Sequence, residues 1–61
     1  MLSTRQQKVV EMNNITAKQI ETGEYVFLIS GRYYVQSPSF TQEGAIKKGI
    51  GYVMSKYNRK N

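Results

Sequence analysis

From Tyr25 to Gln36 the chain reads YVFLISGRYYVQ, and its bulky apolar side chains fall in two blocks without alternating polar positions. Blocks rich in Tyr, Val, Phe and Ile suit a pleated surface. Ser30-Gly31 between them supplies a two-residue turn, because Gly31 tolerates the positive φ that such turns need. The pattern therefore predicts a hairpin over residues 24–29 and 32–36. Pro38 cannot donate to a strand ladder, so Ser37-Pro38 ends the second strand. Upstream, residues 14–23 (NITAKQIETG) read in two ways. As a strand, Ile15, Ala17 and Gln19 share one face, and Thr22-Gly23 turns into the hairpin. As a helix, Thr16 caps it with Gln19 at the capping-box position, and Gly23 closes it. Only two apolar residues would anchor that helix, and so short a helix is unstable without packing. The strand is favoured, because it completes a three-stranded meander.

After the hairpin the period changes. Thr41 is a good N-cap, Phe40 stands where it could staple onto Ala45, and Glu43 suits the positive helix end. From Gln42 to Tyr57, the residues Ile46, Ile50, Val53, Met54 and Tyr57 form one apolar stripe at helical spacing. Gly44, Gly49 and Gly51 work against it, each costing about 1 kcal/mol relative to Ala. Gly49 borders the stripe, where a missing side chain lets helix and sheet approach. Gly51 points outward, and a break at Gly49–Gly51 is the alternative. At the other end, residues 1–13 read as a short helix or an extended arm, with Ser3 and Gln6 at capping-box spacing. Leu2, Val9 and Met12 give it a thin apolar stripe.

Pairing across the turn splits the hairpin into two surfaces. With Ile29 opposite Arg32, Leu28 meets Tyr33, Phe27 meets Tyr34, Val26 meets Val35 and Tyr25 meets Gln36, and opposed residues share a face. One face is Val26, Leu28, Tyr33 and Val35, to which Ile15 and Ala17 are assigned. The C-terminal helix is expected to cover it. The other face is Tyr25, Phe27, Ile29 and Tyr34, with Arg32 and Gln36 at its edges. That face is expected to form a protein interface, most simply with a second copy. Cover by the N-terminal segment, or stacking on unpaired bases, are the alternatives.

Composition narrows the chemistry. The 61 residues make a single small domain: residues 1–13 a helix or arm, 14–36 antiparallel strands, 41–57 a helix and 58–61 a basic tail. The fold class is α+β. A chain this short buries only about 60% of its unfolded surface. It has no Cys, His or Asp, so disulfides and thiolate or imidazole metal sites are excluded. Its carboxylate side chains are Glu11, Glu21, Glu24 and Glu43, with no recognisable pair for acid–base work and no His to activate a Ser. The expectation is no enzyme, no cofactor, no metal and no small-molecule substrate. No apolar run reaches membrane-spanning length, and the first residues lack the apolar stretch of a signal peptide. A cytoplasmic protein is expected.

Charge is unevenly placed. Residues 1–44 carry Arg5, Lys8, Lys18 and Arg32 against the four glutamates and sum to zero. Residues 45–61 carry Lys47, Lys48, Lys56, Arg59 and Lys60 with no acid, and hold the whole net charge of +5. Such a localised basic element is the footprint of phosphate binding. With Ile46 facing the core, Lys48, Tyr52, Ser55 and Arg59 form one outward ridge, flanked by Lys47 and Gly51. The expected nucleic-acid contacts are Lys47, Lys48, Tyr52, Lys56, Arg59 and Lys60, with Arg32 from the hairpin. DNA is favoured over RNA.

The layout of a meander followed by one helix resembles the small DNA-binding arm of phage-type integrases. A strand pair leading into Thr41-Gln42-Glu43-Gly44-Ala45 is also similar to the ribonuclease-like domain of HicB-type antitoxins. The likeness spans about half of the chain and transfers no site residue. A winged helix-turn-helix follows instead if residues 5–13 and 16–22 are both helices. The leading function is a nucleic-acid-binding protein that self-associates through the aromatic sheet face. The runner-up is a protein-binding regulator or inhibitor, of phage or antitoxin type, acting through that face.

Overall fold

The computed structural model describes residues 2–58, with side chains described to Lys56. It is an α+β arrangement in the order α1 (Thr4–Asn13), β1 (Ile15–Gln19), β2 (Tyr25–Ile29), β3 (Arg32–Ser39) and α2 (Gln42–Asn58). The strands form one antiparallel sheet in the order β1-β2-β3. Residues 15–19 are thus a strand, and the winged helix-turn-helix layout does not form. No described helix is long and apolar enough to cross a membrane.

Local chemistry sets the element ends. The Gln6 N–H donates to Ser3 Oγ at 3.1 Å, and the Ser3 N–H donates to Gln6 Oε1 at 2.9 Å, so the capping box at the start of α1 is complete. Asn14 ends α1 in the left-handed region at φ 54°, and its N–H returns to the Glu11 and Val10 carbonyls. Ser30 and Gly31 both have positive φ, 52° and 84°, as the tight hairpin turn demands. The Gly44 N–H donates to Thr41 Oγ1 at 3.0 Å, which caps α2. Phe40 does not staple: it is 85% exposed, while Ala45 is fully buried against other neighbours. The helix runs unbroken through Gly49 and Gly51.

Register decides which face of the sheet is covered. Ile15 lies opposite Ile29, Ala17 opposite Phe27 and Gln19 opposite Tyr25. On β3, Arg32 lies opposite Ile29, Tyr33 opposite Leu28 and Tyr34 opposite Phe27. One face therefore holds Ile15, Ala17, Tyr25, Phe27, Ile29 and Tyr34. The other holds Thr16, Lys18, Val26, Leu28 and Tyr33. Both helices pack on the first. Ile15, Ile50 and Val53 form its buried cluster, joined by half-buried Leu2, Val9, Val10, Ile29 and Ile46.

This reverses the expected assignment. Ile15 and Ala17 join Phe27, not Leu28, and they make the aromatic face the more apolar of the two. α2 packs on the face of Tyr25, Phe27, Ile29 and Tyr34 and leaves Phe27 only 4% exposed, while the other three stay half-buried, so the middle of this set is covered within the chain and not by a second copy. Burial of an apolar side chain such as Phe is worth about 1.5–3 kcal/mol, which explains why the helix takes this side.

The pairing beyond Phe27 also differs. Tyr25 lies opposite Ser39 rather than Gln36, so two steps along β2 are matched by five along β3. Residues 35–38 stand opposite Val26 alone. Val26 is fully enclosed, and Val35 is exposed rather than paired with it under a helix. Pro38 does not end the strand: β3 runs on to Ser39, and the missing N–H falls within this irregular stretch.

Candidate nucleic-acid interface

α2 sits close to the sheet because small residues face it. A Cβ added at Gly49 would lie 2.9 Å from Ile15 Cγ2 and 3.0 Å from Phe27 Cδ2. A Cβ at Gly44 would collide with Ser39 Oγ. Ala45, Gly49 and Val53 thus turn toward the sheet, and the buried stripe is rotated from one centred on Ile46. Met54, at the far side of the expected stripe, is more than a third exposed. Tyr57, its last member, has a side chain outside the described residues.

That rotation moves the expected outward ridge. Tyr52 does not point away from the sheet but leans over β3. Its ring centroid lies 5.0 Å from that of Tyr34 and 6.0 Å from that of Phe27, while Phe27 and Tyr34 stack at 5.1 Å with planes 7° apart. Such pairs contribute about 0.5–1.5 kcal/mol beyond their buried area. Tyr52 nevertheless stays 42% exposed. One turn earlier, Lys48 reaches across and donates from Nζ to the Pro38 carbonyl at 3.1 Å. Lys48, Tyr52 and Lys56 therefore form a row at i, i+4 and i+8 that overhangs the β3 side, and Ser55 is exposed without belonging to it.

The overhang creates two open grooves. The first, about 330 Å³, is lined by Phe27, Tyr34, Gln36, Ser37, Lys48 and Tyr52. The second, about 320 Å³, is lined by Asn13, Ile29, Tyr34, Tyr52, Val53 and Lys56. Tyr34 and Tyr52 belong to both, so they form the ridge between them. Each groove has one lysine and no carboxylate in its lining. Gln36 and Ser37 come from the surplus residues of β3, so the register slip supplies one wall of the first groove.

The other expected contacts lie around these grooves. Arg32 is exposed at the start of β3, on the same face as Tyr34 and opposite Ile29. Lys47 is exposed on α2, with Nζ 3.9 Å from Glu43 Oε2. An exposed i, i+4 pair of this kind contributes only about 0.3–0.5 kcal/mol and leaves the lysine in water. Arg59 and Lys60 lie outside the described residues. Among the described residues, no three carboxylates come together to hold a metal ion.

The sequence singles out Lys48, Tyr52 and Lys56 as nucleic-acid contacts and Tyr34, with Gln36 at its edge, as part of a separate protein interface; it does not bring the two sets together and gives no role to Ser37. The readable signals are the Lys48–Tyr52 spacing and, for Lys56, the absence of acids after Glu43; the bulge that brings Gln36 and Ser37 beside Lys48 leaves only Pro38 as a trace. No protein-family model, curated protein or solved structure matches the chain.

Proposed function

We propose that the chain is a small non-enzymatic nucleic-acid-binding protein that grips the phosphate backbone through α2 and the basic residues that follow it. One observation carries this reading: the entire charge excess lies in residues 45–61, and Lys47, Lys48 and Lys56 are all exposed along α2. Stability alone accounts for part of this pattern, since Lys56 suits the negative helix end. Lys48 has one structural partner, the Pro38 carbonyl, but that bond uses a single ammonium proton and leaves the charge exposed beside a groove whose lining has no acid. Lysines so placed position a backbone without reading its sequence. DNA is the favoured partner, Arg32, Arg59 and Lys60 extend the contact, and the reading takes the protein to be cytoplasmic.

The test is fluorescence anisotropy with a labelled duplex at about 50 and 200 mM salt, where each released phosphate counterion steepens the loss of affinity. Lys48→Glu combined with Arg59→Glu is expected to abolish most of the binding. Affinity unchanged by that pair, or independent of salt, would overturn the reading. A protein-binding regulator is the second reading, favoured by the half-exposed Tyr33 beside Leu28 on the uncovered sheet face. A pull-down that recovers nucleic acid alone counts against it.

A further inference from the structure

We infer that the two grooves beside Tyr34 and Tyr52 are stacking sites for unpaired bases, so that the preferred ligand is a single strand rather than a duplex. The inference rests on the phosphate-binding reading and adds to it the chemical class of the ligand.

Three features of the grooves converge on a base. The walls are aromatic: Tyr52 is 42% exposed, and its ring leans on the Phe27–Tyr34 stack, which fixes it in place. A ring held by neighbours loses little freedom when a base stacks on it, and any base has a face to offer. Polar groups stand at the rim. Gln36 and Ser37 in the first groove and Asn13 in the second offer donors and acceptors to a base edge. Size completes the match, since 330 and 320 Å³ lie at the lower end of the about 300–1,000 Å³ typical of small-ligand sites. A groove of this volume has room for one planar ring system.

Charge selects a nucleic acid over an apolar ligand. Lys48 lines one groove and Lys56 the other, with Tyr52 midway between them on the same helix. Residues eight apart on a helix lie about 12 Å apart along its axis, a span of about two internucleotide steps, so the two lysines suit phosphates on either side of a pair of stacked bases. Arg32, on the Tyr34 face at the hairpin end, continues the positive rim. A duplex keeps its bases stacked on one another and could touch only the lysines. A single strand can use lysines and tyrosines together.

The deciding experiment compares three labelled probes with equal numbers of phosphates at low salt: a 12-nucleotide oligothymidine, an abasic 12-unit deoxyribose-phosphate strand, and a duplex. Oligothymidine is expected to bind at least about tenfold more tightly than the abasic strand. Tyr52→Leu, which keeps an apolar contact with Phe27, is expected to remove most of that preference while leaving abasic binding nearly unchanged. Ser37→Leu, at an exposed groove position, is the second variant; it fills the first groove without adding charge and is expected to narrow the preference without disturbing the fold. Equal affinity for oligothymidine and the abasic strand would overturn the stacking inference and leave phosphate binding standing. A base preference that survives both substitutions would overturn these grooves as the site. Failure to bind any probe would overturn both readings.

Discussion

The two sides of the sheet come from the same three strands but have opposite fates. Under the helices lie Ile15, Ala17, Phe27, Ile29 and Tyr34; on the other side lie Thr16, Lys18, Val26, Leu28 and Tyr33, of which only Val26, opposite the surplus residues of β3, is fully buried. Within the hairpin alone the two sets are closely matched, because neither β2 nor β3 alternates apolar with polar residues. β1 breaks the tie. Its ITAKQ alternates cleanly, placing Ile15 and Ala17 on one face and Thr16 and Lys18 on the other. The least hydrophobic strand therefore orients the most hydrophobic ones.

Truncating residues on the two faces tests this contrast most sharply. Phe27→Ala is expected to cost about 3–5 kcal/mol in urea unfolding, enough to threaten folding of a domain this small. Leu28→Ala, one residue along and on the open side, should cost only about 1–2 kcal/mol. Equal losses would mean that the two faces are equivalently buried. The next largest effect concerns the helix spacing. Gly49→Val should destabilise by about 1–3 kcal/mol, because the new side chain meets Ile15 and Phe27 at or inside contact distance. Two residues on, the sign reverses: Gly51 faces open space, so Gly51→Ala is expected to add about 1 kcal/mol of stability and raise the melting temperature. Smallest is Lys18→Ala. The Lys18 ammonium lies 5.9 Å from the Tyr33 ring centroid on the solvent side, and losing it should cost about 0.5 kcal/mol or less.

Much of the fold was legible because it rests on local rules. The capping box of Ser3 and Gln6, the Ser30-Gly31 turn, the Thr41 cap and the three-strand meander each follow from a few adjacent residues. What was not legible depended on residues distant in sequence or on side chains that are absent. The covered face is not legible locally, because whether Ile15 and Ala17 join Leu28 or Phe27 depends on the register of β1 against β2, which nothing local fixes. The helix stripe was centred on Ile46 because large apolar residues dominate periodicity. Ala45 and Gly49 contribute by being small, and a count of hydrophobic side chains gives them little weight.

The candidate site divides along the same line. Spacing singles out Lys48 and Tyr52, on a ridge expected to look outward, and the acid-free charge of the last segment singles out Lys56. Rotation of α2 toward its small residues turns them over β3, where Tyr52 meets Tyr34. The second wall, Gln36 and Ser37, depends on three surplus residues in β3, and no pairing rule counted from the turn could place them.

The slipped register of β3 also bears on how the protein keeps apart from its own copies. β3 is an outer strand, and its free edge is the kind of surface on which chains recruit one another into aggregates. Here that edge loses step with its neighbour between Tyr34 and Ser39 and includes Pro38, which has no N–H to offer. An incoming strand finding partners near Arg32 would lose them within a few residues. The irregularity that supplies a wall to the first groove thereby also protects an eight-residue edge against open-ended growth.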